Sequence, residues 1–356
     1  MSDLLTELRR EVVGAHAKHQ RRSARSARLR AWRPALAGAA ALAVLIVAVA
    51  VAVRSVPAPE PSGEPRVVEV LQIGGIPVDG VLAGGALWVS DSARSEVVRI
   101  DPDTRRVAAR IRLTGNVRDI AAGDGGLWVR TSGNRDMDDG RLSRIDPRSN
   151  RVVDVIVTAP GDTLAVGGGA VWVDRRWRAP EGIERIDADT GAVTRRMALR
   201  DADGIAVANG DAWTVAQNGT VARIDAASGR IARRWAQLAA SPVNSDGSET
   251  TTADATGAWI LRIGEGAVYR LEGDRITRKL PIDAAAKPIL AATRGGLWIA
   301  GEDELRGRHR VVRIDPDSGK ATATVDLGPH RPQALVPVAG GLWVVGGDGT
   351  AVLIKT

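Results

Sequence analysis

Short apolar runs, each containing one tryptophan, recur along most of the chain at a nearly constant spacing. Most of them read Gly-Ala or Gly-Gly, then Leu or Val, then Trp, then Val or Ile. The seven tryptophans are Trp88, Trp128, Trp172, Trp213, Trp259, Trp298 and Trp343, separated by 40, 44, 41, 46, 39 and 45 residues. A repeat of this length that contains several short strands is typical of a ring of four-stranded blades. The pattern therefore predicts an all-β fold, a seven-bladed β-propeller.

Each repeat predicts the same four strands. In the first repeat these are, from inner to outer, Val78–Leu82, Ala86–Ser90, Glu96–Asp101 and Val107–Leu113. In the second strand Leu87 and Val89 alternate with Trp88, so both faces are apolar, as expected for a sheet with a neighbour on each side. A hairpin turn beginning with Asp follows the third strand. These aspartates are Asp101, Asp146, Asp187, Asp225 and Asp315.

The last repeat is one strand short. After Trp343 the chain supplies only Thr350–Ile354 before it ends, whereas Arg66–Ile73, ahead of the first repeat, resembles the outer strands of other repeats. We therefore predict that strand 66–73 completes blade seven, which closes the ring and removes an unpaired edge. The propeller domain then comprises residues 66–356.

The repeat phrase resembles a known group of proteins. Leu-Trp-Val, then Val-Val-Arg-Ile-Asp-Pro-Asp-Thr, then a valine-rich strand is similar to YVTN-type and virginiamycin B lyase-like seven-bladed propellers, over about Arg66 to Thr356. The resemblance implies the fold. Lyases of that group use a histidine, a nearby glutamate and a bound metal on one face of the ring, so the resemblance also implies an enzyme alternative. The histidines of this region are His309 and His330.

The N-terminal part has a different composition. Residues 1–33 carry nine Lys or Arg and three acidic residues, and residues 34–53 are uncharged and mostly apolar. This order predicts a basic cytoplasmic tail followed by a transmembrane anchor in the lipid bilayer. A Pro-rich linker, 54–65, would then lead to an extracytoplasmic propeller. The alternative is a cleaved signal peptide, because Ala48-Val-Ala50 and Ala50-Val-Ala52 resemble processing sites.

The remaining composition narrows the function classes. From Arg54 onward the chain has 40 basic and 39 acidic residues, so the high isoelectric point belongs to the tail and we predict no nucleic-acid partner. The absence of cysteine excludes disulfides, thiolate nucleophiles and cysteine-bound metals. Richness in Ala, Arg and Gly is typical of a bacterial protein encoded by a GC-rich gene.

Acidic residues recur at the predicted start of the inner strands, nine or ten residues before the tryptophans. They are Asp79, Asp119, Asp162, Asp203 and Glu249, while blades six and seven offer Pro288 and Gln333. In a ring these positions would converge at the channel mouth. We therefore predict a ligand-binding site there, formed by the five acids and Gln333, in which the acids could hold a divalent cation, calcium first. The alternative is that each Asp caps a turn.

Long, irregular loops fall on the same face of the predicted ring. They are Thr131–Gly140, Asp174–Gly182, Ala239–Glu249 and Gly301–Arg310. From this face we predict that Arg176, Trp177, Arg178, His309 and His330 bind a partner.

Three functions fit these observations. The first is a membrane-anchored, non-catalytic recognition or sensing module for an envelope protein, a glycan or a small ligand. The alternative is a metal-dependent lyase or lactonase-type enzyme with its site at the channel mouth. The third is an architectural role in an envelope complex.

Overall fold

The computed structural model describes residues 63–133, 140–175, 182–199, 202–216, 218–235, 238, 250–262, 265–282, 286–293, 295–303 and 308–356. The predicted tail and anchor, and nearly all of the linker, lie outside these residues. Among the residues that are described, no helix is long and apolar enough to cross a membrane. Their regular elements are 28 β-strands in seven four-stranded antiparallel sheets.

Each sheet is one blade, formed by strands that follow one another in the chain. Blade one comprises β2 (Pro77–Ala83), β3 (Ala86–Asp91), β4 (Glu96–Asp101) and β5 (Arg106–Arg112). Blade two comprises β6 (Asn116–Gly123), β7 (Gly126–Ser132), β8 (Gly140–Asp146) and β9 (Arg151–Thr158). Blade three comprises β10 (Leu164–Val166), β11 (Ala170–Arg175), β12 (Gly182–Asp187) and β13 (Val193–Met197). Blade four comprises β14 (Ala202–Ala208), β15 (Asp211–Ala216), β16 (Val221–Asp225) and β17 (Arg230–Trp235).

The remaining blades repeat this order. Blade five comprises β18 (Thr250–Asp254), β19 (Gly257–Arg262), β20 (Ala267–Glu272) and β21 (Arg275–Pro281). Blade six comprises β22 (Ala286–Thr293), β23 (Gly296–Asp303), β24 (Arg308–Ile314) and β25 (Ala321–Gly328). Blade seven comprises β26 (Pro332–Val338), β27 (Gly341–Gly346), β28 (Thr350–Lys355) and β1 (Arg66–Gln72). The first strand of each blade contacts the first strands of both neighbours, from β2 through β6 and onward to β26, which returns to β2. The prediction of an all-β, seven-bladed propeller is confirmed.

The ring is closed by the first strand of the described chain. β1 pairs antiparallel with β28, and Gln72 lies opposite Thr350. Beyond this pair, the backbone N–H groups of Ile73 and Gly74 both donate to the carbonyl oxygen of Gly349, at 2.9 Å. Gly349 has a φ of 85°, and a Cβ there would lie 3.1 Å from Gly74, so both the backbone conformation and the close approach require glycine. β28 therefore has a partner on both sides, in the arrangement that the sequence predicted.

The hydrophobic core lies between blades. Each of its seven clusters combines side chains from two neighbouring blades, and each repeat tryptophan faces the next blade. Trp88, for example, packs with Ile120 and Val129 of blade two, whereas Leu87 of the same strand packs with Trp343 of blade seven. Alternation along one strand thus supplies apolar contacts to both neighbours.

The face that carries the hairpin turns is uniform and structural. The turn aspartates accept backbone N–H bonds two and three residues ahead, as Asp101 does from Asp103 and Thr104 at 2.9 and 2.8 Å. Hydrogen bonds from Thr104, the largest cause, lower the pKa of the Asp101 carboxyl. Third-strand arginines lie over tryptophan rings on this side, and Arg185, over Trp172, also donates to the carbonyl oxygen of Ala226 at 2.9 Å. These contacts join each turn to its own blade or to the next one.

Candidate functional site at the channel mouth

Two of the predicted mouth acids lie in equivalent places on neighbouring inner strands. Asp79 on β2 is opposite Ser90, and Asp119 on β6 is opposite Arg130, so each faces the residue two positions after its blade's tryptophan. Both side chains are half-buried. A β-bulge immediately precedes each of them, which marks the point where the inner strand meets the loop-rich face.

The two carboxyl groups are in hydrogen-bond contact with each other. Each also reaches the next blade: Asp79 Oδ2 accepts from the Ile120 N–H at 3.4 Å, and Asp119 Oδ2 accepts from the Leu164 N–H at 2.7 Å. The Ile120 N–H also donates to Asp119 Oδ1, at 2.7 Å. An ionised carboxylate only accepts hydrogen bonds, so a direct hydrogen bond between the two carboxyl groups forms only when one of them is protonated. We name Asp79 and Asp119 the mouth pair.

Burial and like charge disfavour full ionisation of the mouth pair. Burial raises the pKa of Asp79 above its usual value. Burial also raises the pKa of Asp119 well above its usual value, with further contributions from the charge of Asp79 and the hydrogen bond to it. A proton or a bound cation would relieve this repulsion, because either places positive charge between the two groups.

The other predicted mouth residues do not share this register. The positions equivalent to Asp79 and Asp119 are Thr163, Gly204, Thr250, Ile289 and Ala334. Asp203 and Gln333 instead occupy the bulge itself, at the position of Val78 and Arg118. The physical reason is spacing: Asp79 and Asp119 precede the tryptophans of their blades by nine residues, whereas Asp162, Asp203, Glu249 and Gln333 precede theirs by ten. Counting back from the tryptophans therefore combined two structural positions.

The acids of blades three to five therefore lie one position further from the first hairpin of their blade than Asp79 and Asp119 do.

The remaining members of the predicted site are placed as follows. Gln333 packs against Gly347 in the loop between β27 and β28, and Arg118 donates to the Ser132 hydroxyl at 3.1 Å, so both bulge side chains lean toward the loops of their own blade. Asp162 is half-buried near Arg130. The side chain of Asp203 and the whole of Glu249 lie outside the described part of the chain.

A buried ion pair lies directly beside the mouth pair. Arg130 Nη1 is 3.0 Å from Asp174 Oδ1, and the two side chains are 0% and 1% exposed. The guanidinium also donates to the carbonyl oxygens of Thr163, Ala159 and Asp174, at 2.8, 2.9 and 2.8 Å. Burial lowers the pKa of Arg130, while the carboxylates of Asp174, Asp119, Asp162 and Glu184 oppose this change. We name Arg130 and Asp174 the buried ion pair.

Sequence reasoning missed the buried ion pair, although the chain contains a sign of it. Arg130 and Asp174 each stand two residues after a repeat tryptophan, in otherwise apolar second strands of neighbouring blades. Four of the other five blades have an apolar residue there: Val215, Leu261, Ala300 and Val345. Opposite charges at one repeat position of adjacent blades indicate an ion pair between those blades, because buried charges are almost always paired.

A second polar cluster lies on the same face at blade seven. His330 Nδ1 is 2.7 Å from Asp348 Oδ2, and the Thr350 hydroxyl donates to Asp348 Oδ1 at 2.6 Å. Burial raises the pKa of the Asp348 carboxyl, but the hydrogen bonds from Thr350 and His330 outweigh it, so the net change is downward. The carboxylate therefore orients the imidazole, as in a histidine that transfers protons.

The other predicted partner-binding residues are not assembled with His330. His309 was expected in a loop, but β24 begins at Arg308, so His309 is a strand residue opposite Glu302 and is only 7% exposed. The strands of this hairpin extend further than the sequence pattern indicated. Arg176, Trp177 and Arg178 lie outside the described residues. Among the side chains that are described, no three His, Asp or Glu residues converge in a way that could hold a metal ion.

Comparison with known proteins identifies the fold. No protein-family model matches the chain, and no curated protein matches its sequence. Selenomethionine-substituted virginiamycin B lyase from Staphylococcus aureus has a similar structure, with a TM-score of 0.63 and 14% sequence identity over 81% of this chain and 98% of that chain. The β-propeller domain of Cps50 (Swd1) from Myceliophteria thermophila is similar too, with a TM-score of 0.63 and 11% identity over 82% and 99% of the two chains. At these identities the similarity shows the propeller fold alone, because one fold hosts many activities.

Proposed function

We propose that the protein is a membrane-anchored, extracytoplasmic recognition module of the YVTN-type or virginiamycin B lyase-like kind, which binds a positively charged ligand at the mouth of its propeller. The ligand class is a divalent cation, calcium first, or a cationic group of an envelope protein, glycan or small molecule. The observation that carries the proposal is the contact between Asp79 and Asp119, two acids held together where the inner strands open to the loop-rich face.

The neighbouring charges support this ligand class. The charge of Arg130 interacts with that of Asp119, but its guanidinium is engaged by Asp174 and by three carbonyl oxygens. Asp162 adds a further carboxyl group beside Arg130. The local balance is therefore negative, and a cationic ligand would gain from it.

A thermal-shift assay on the purified full-length protein in neutral detergent tests this proposal. Calcium, magnesium, manganese, zinc, short polyamines, lactones and envelope glycan fragments are each added in turn. A ligand at a hundredfold excess over its dissociation constant should stabilise the folded state by about 2.7 kcal/mol. Asp119→Asn should abolish the shift, whereas Asp103→Asn, the same charge change in an exposed turn on the other face, should leave it intact. A shift that survives Asp119→Asn would contradict a site at the mouth pair.

The extracytoplasmic location is a separate part of the proposal and rests on the charge step between residues 1–33 and 34–53. Protease added to intact cells, or to spheroplasts if an outer membrane intervenes, should degrade the propeller. A propeller that stays protected, or a mature protein that begins near Val53, would contradict the anchor.

An enzyme is the second candidate, and the pairing of His330 with Asp348 favours it. A histidine oriented by a carboxylate could act as a general base for a lyase or lactonase reaction on the loop-rich face. His330→Gln should then abolish turnover of any lactone that gives a hit in the thermal-shift assay. Turnover that is unchanged in this variant would leave recognition as the better description.

A further inference from the structure

Positive charge is concentrated on one part of the rim, away from the channel mouth. The outer strands of blades three, four and five, β13, β17 and β21, carry eight basic residues and no acidic residue. These residues are Arg195, Arg196, Arg230, Arg233, Arg234, Arg275, Arg278 and Lys279. We name them the basic arc. By contrast β9, β25 and β1, in blades two, six and seven, together carry two basic and three acidic residues: Arg66, Arg151, Glu69, Asp154 and Asp326. β5 of blade one carries three arginines, Arg106, Arg110 and Arg112, of which Arg110 is paired with Glu96. The propeller is nearly neutral overall, so this concentration reflects an uneven distribution of charge.

The basic arc repeats from blade to blade in the same register. Arg195, Arg233 and Arg278 each lie opposite a third-strand arginine, namely Arg185, Arg223 and Arg270. The residue after each of them is also basic: Arg196, Arg234 and Lys279. The outer strands therefore present two rows of positive charge that run across three consecutive blades.

Much of this charge is not neutralised within the protein. All eight residues are exposed. Arg196 pairs with Glu184 at 2.9 Å, Arg278 with Asp317 at 2.7 Å and Lys279 with Glu265 at 3.2 Å. In the part of the chain that the structure describes, no carboxylate lies within ion-pair distance of the other five, which are Arg195, Arg230, Arg233, Arg234 and Arg275. Asp225 lies opposite Arg230 and Glu272 opposite Arg275 on the paired strands, but neither carboxylate forms an ion pair with the arginine opposite, so the guanidinium groups of these five arginines can accept an anion from outside.

We propose that the basic arc binds a linear polyanion of the polyphosphate type, in which phosphate groups follow one another along the chain. Seven of the eight residues are arginines, whose planar guanidinium groups match phosphate oxygens in pairs. Two rows that continue over three blades fit an extended ligand, because a compact anion would reach only one blade. Successive blades of a seven-bladed ring turn by about one seventh of a full rotation, so a flexible polymer can follow the convex rim that a flat bilayer would touch at one point. This surface is separate from the mouth, so the inference does not depend on the proposed function.

Residue-resolved labelling tests the inference in the presence of the basic N-terminal tail, which also attracts anions. The full-length protein, in neutral detergent at low salt, is treated with phenylglyoxal with and without long-chain inorganic polyphosphate, and modified arginines are located by mass spectrometry. We expect protection of Arg195, Arg230, Arg233, Arg234 and Arg275. The internal control is Arg66, Arg106 and Arg112, exposed arginines of β1 and β5, which should stay reactive. Protection that is confined to residues 1–33, or equal at both sets of rim arginines, would overturn the inference.

Two matched variants provide the affinity test. The first is the triple variant Arg195→Gln/Arg234→Gln/Arg275→Gln, which should bind polyphosphate more weakly in a fluorescence anisotropy titration. The steepness of its plot of log affinity against log salt concentration should fall by about one for each substituted residue that contacts the polymer. Arg66→Gln/Arg106→Gln/Arg112→Gln removes the same charge elsewhere on the rim and should have little effect. Equal losses in the two variants would show a general charge effect and overturn the inference.

Two further ligands test whether the basic arc prefers an extended polymer to a short anion or a membrane. Tripolyphosphate, at the same total phosphate concentration, should protect the basic arc less than the long polymer does, because it cannot span three blades. Vesicles of anionic phospholipid should also protect it less. Equal or better protection by either one would overturn the assignment to an extended polymer. Unchanged melting temperatures of both variants would establish that they are folded, as expected for exposed arginines.

Discussion

The mouth pair and the buried ion pair are neighbours on the same face of the ring, but their electrostatics are opposite. Asp119 faces Arg130 across β6 and β7, and the backbone of residues 163 and 164 contacts both side chains. Arg130 and Asp174 are almost fully buried and neutralise each other. Asp79 and Asp119 are half-buried and have the same charge. The buried ion pair joins blades two and three, whereas the mouth pair would be stabilised by positive charge at the channel mouth.

This difference separates a structural polar cluster from a candidate site. A buried ion pair is neutralised within the protein, and removal of one member is strongly destabilising because it leaves an uncompensated buried charge. Two acids in contact are costly while both are ionised, and a proton, a cation or a cationic ligand relieves that cost. Perturbed acids in a cleft are therefore candidates for binding.

Removing Arg130 should have the largest effect. Arg130→Met removes the guanidinium that is paired with the buried Asp174 carboxylate, together with its hydrogen bonds to three backbone carbonyl oxygens. We expect the free energy of unfolding to fall by about 3–5 kcal/mol, measured by urea denaturation. Arg118→Met, at an exposed position one strand away, should change it by less than about 0.5 kcal/mol. Equal stabilities of the two variants would remove the distinction between the clusters.

Removing one charge of the mouth pair should have a smaller effect of opposite sign. Because the pKa of Asp119 is raised in the folded state, the ionised carboxyl destabilises the fold at neutral pH. This cost is absent at pH values below about 3.9, the pKa of an aspartate in the unfolded chain. It is fully present once the pH exceeds the pKa that Asp119 has in the folded protein. Asp119→Asn should therefore stabilise the protein at pH 7, by about 1 kcal/mol, a gain reduced because the single amide oxygen can accept from the Leu164 N–H or the Ile120 N–H but not from both, as the carboxylate does. The gain should shrink toward zero as the pH is lowered to about 4. A variant that is less stable than the wild type at pH 7 would contradict the description of the pair.

Added salt should have the smallest effect and should distinguish the two clusters without a mutation at either. Mobile ions screen charges that solvent can reach, and they screen buried pairs much less. Raising sodium chloride should stabilise the wild type relative to Asp119→Asn by a few tenths of a kcal/mol, which paired thermal melts can resolve. The same salt series should leave the difference between the wild type and Arg130→Met nearly unchanged. The opposite result would mean that Arg130 and Asp174 are open to solvent.

The features that repeat along the chain were predictable from the sequence, and those that depend on a single blade were not. Spacing of the tryptophans indicated the blades, and the strand-like segment 66–73 indicated the closure at β28, because both rest on local periodicity. The candidate site depends on register. A one-residue difference before the tryptophan moves Asp203 and Gln333 onto the bulge, while Asp79 and Asp119 point to the next blade. Such a shift changes which face a side chain occupies and leaves the hydrophobic pattern intact.

The basic arc could not be predicted from the sequence, for a related reason. Its residues are spread over 85 positions of the chain, from Arg195 to Lys279, and they come together only because every fourth strand lies on the rim. Net charge, which is close to zero for the propeller, averages over this separation. The distribution of charge on a repeat fold therefore has to be assessed by strand position rather than by composition.

The central claim is that Asp79 and Asp119 share one site and cannot both ionise freely. A carbon-13 NMR titration of the aspartate carboxyl groups, in the wild type and in Asp79→Asn, tests it most directly. In the wild type we expect the Asp119 carboxyl to titrate well above the usual range for aspartate, because burial and the charge of Asp79 both raise its pKa. In Asp79→Asn the pKa of Asp119 should fall back toward that range. A wild-type Asp119 that titrates near 3.9, the usual value, or a pKa that does not respond to Asp79→Asn, would contradict the claim.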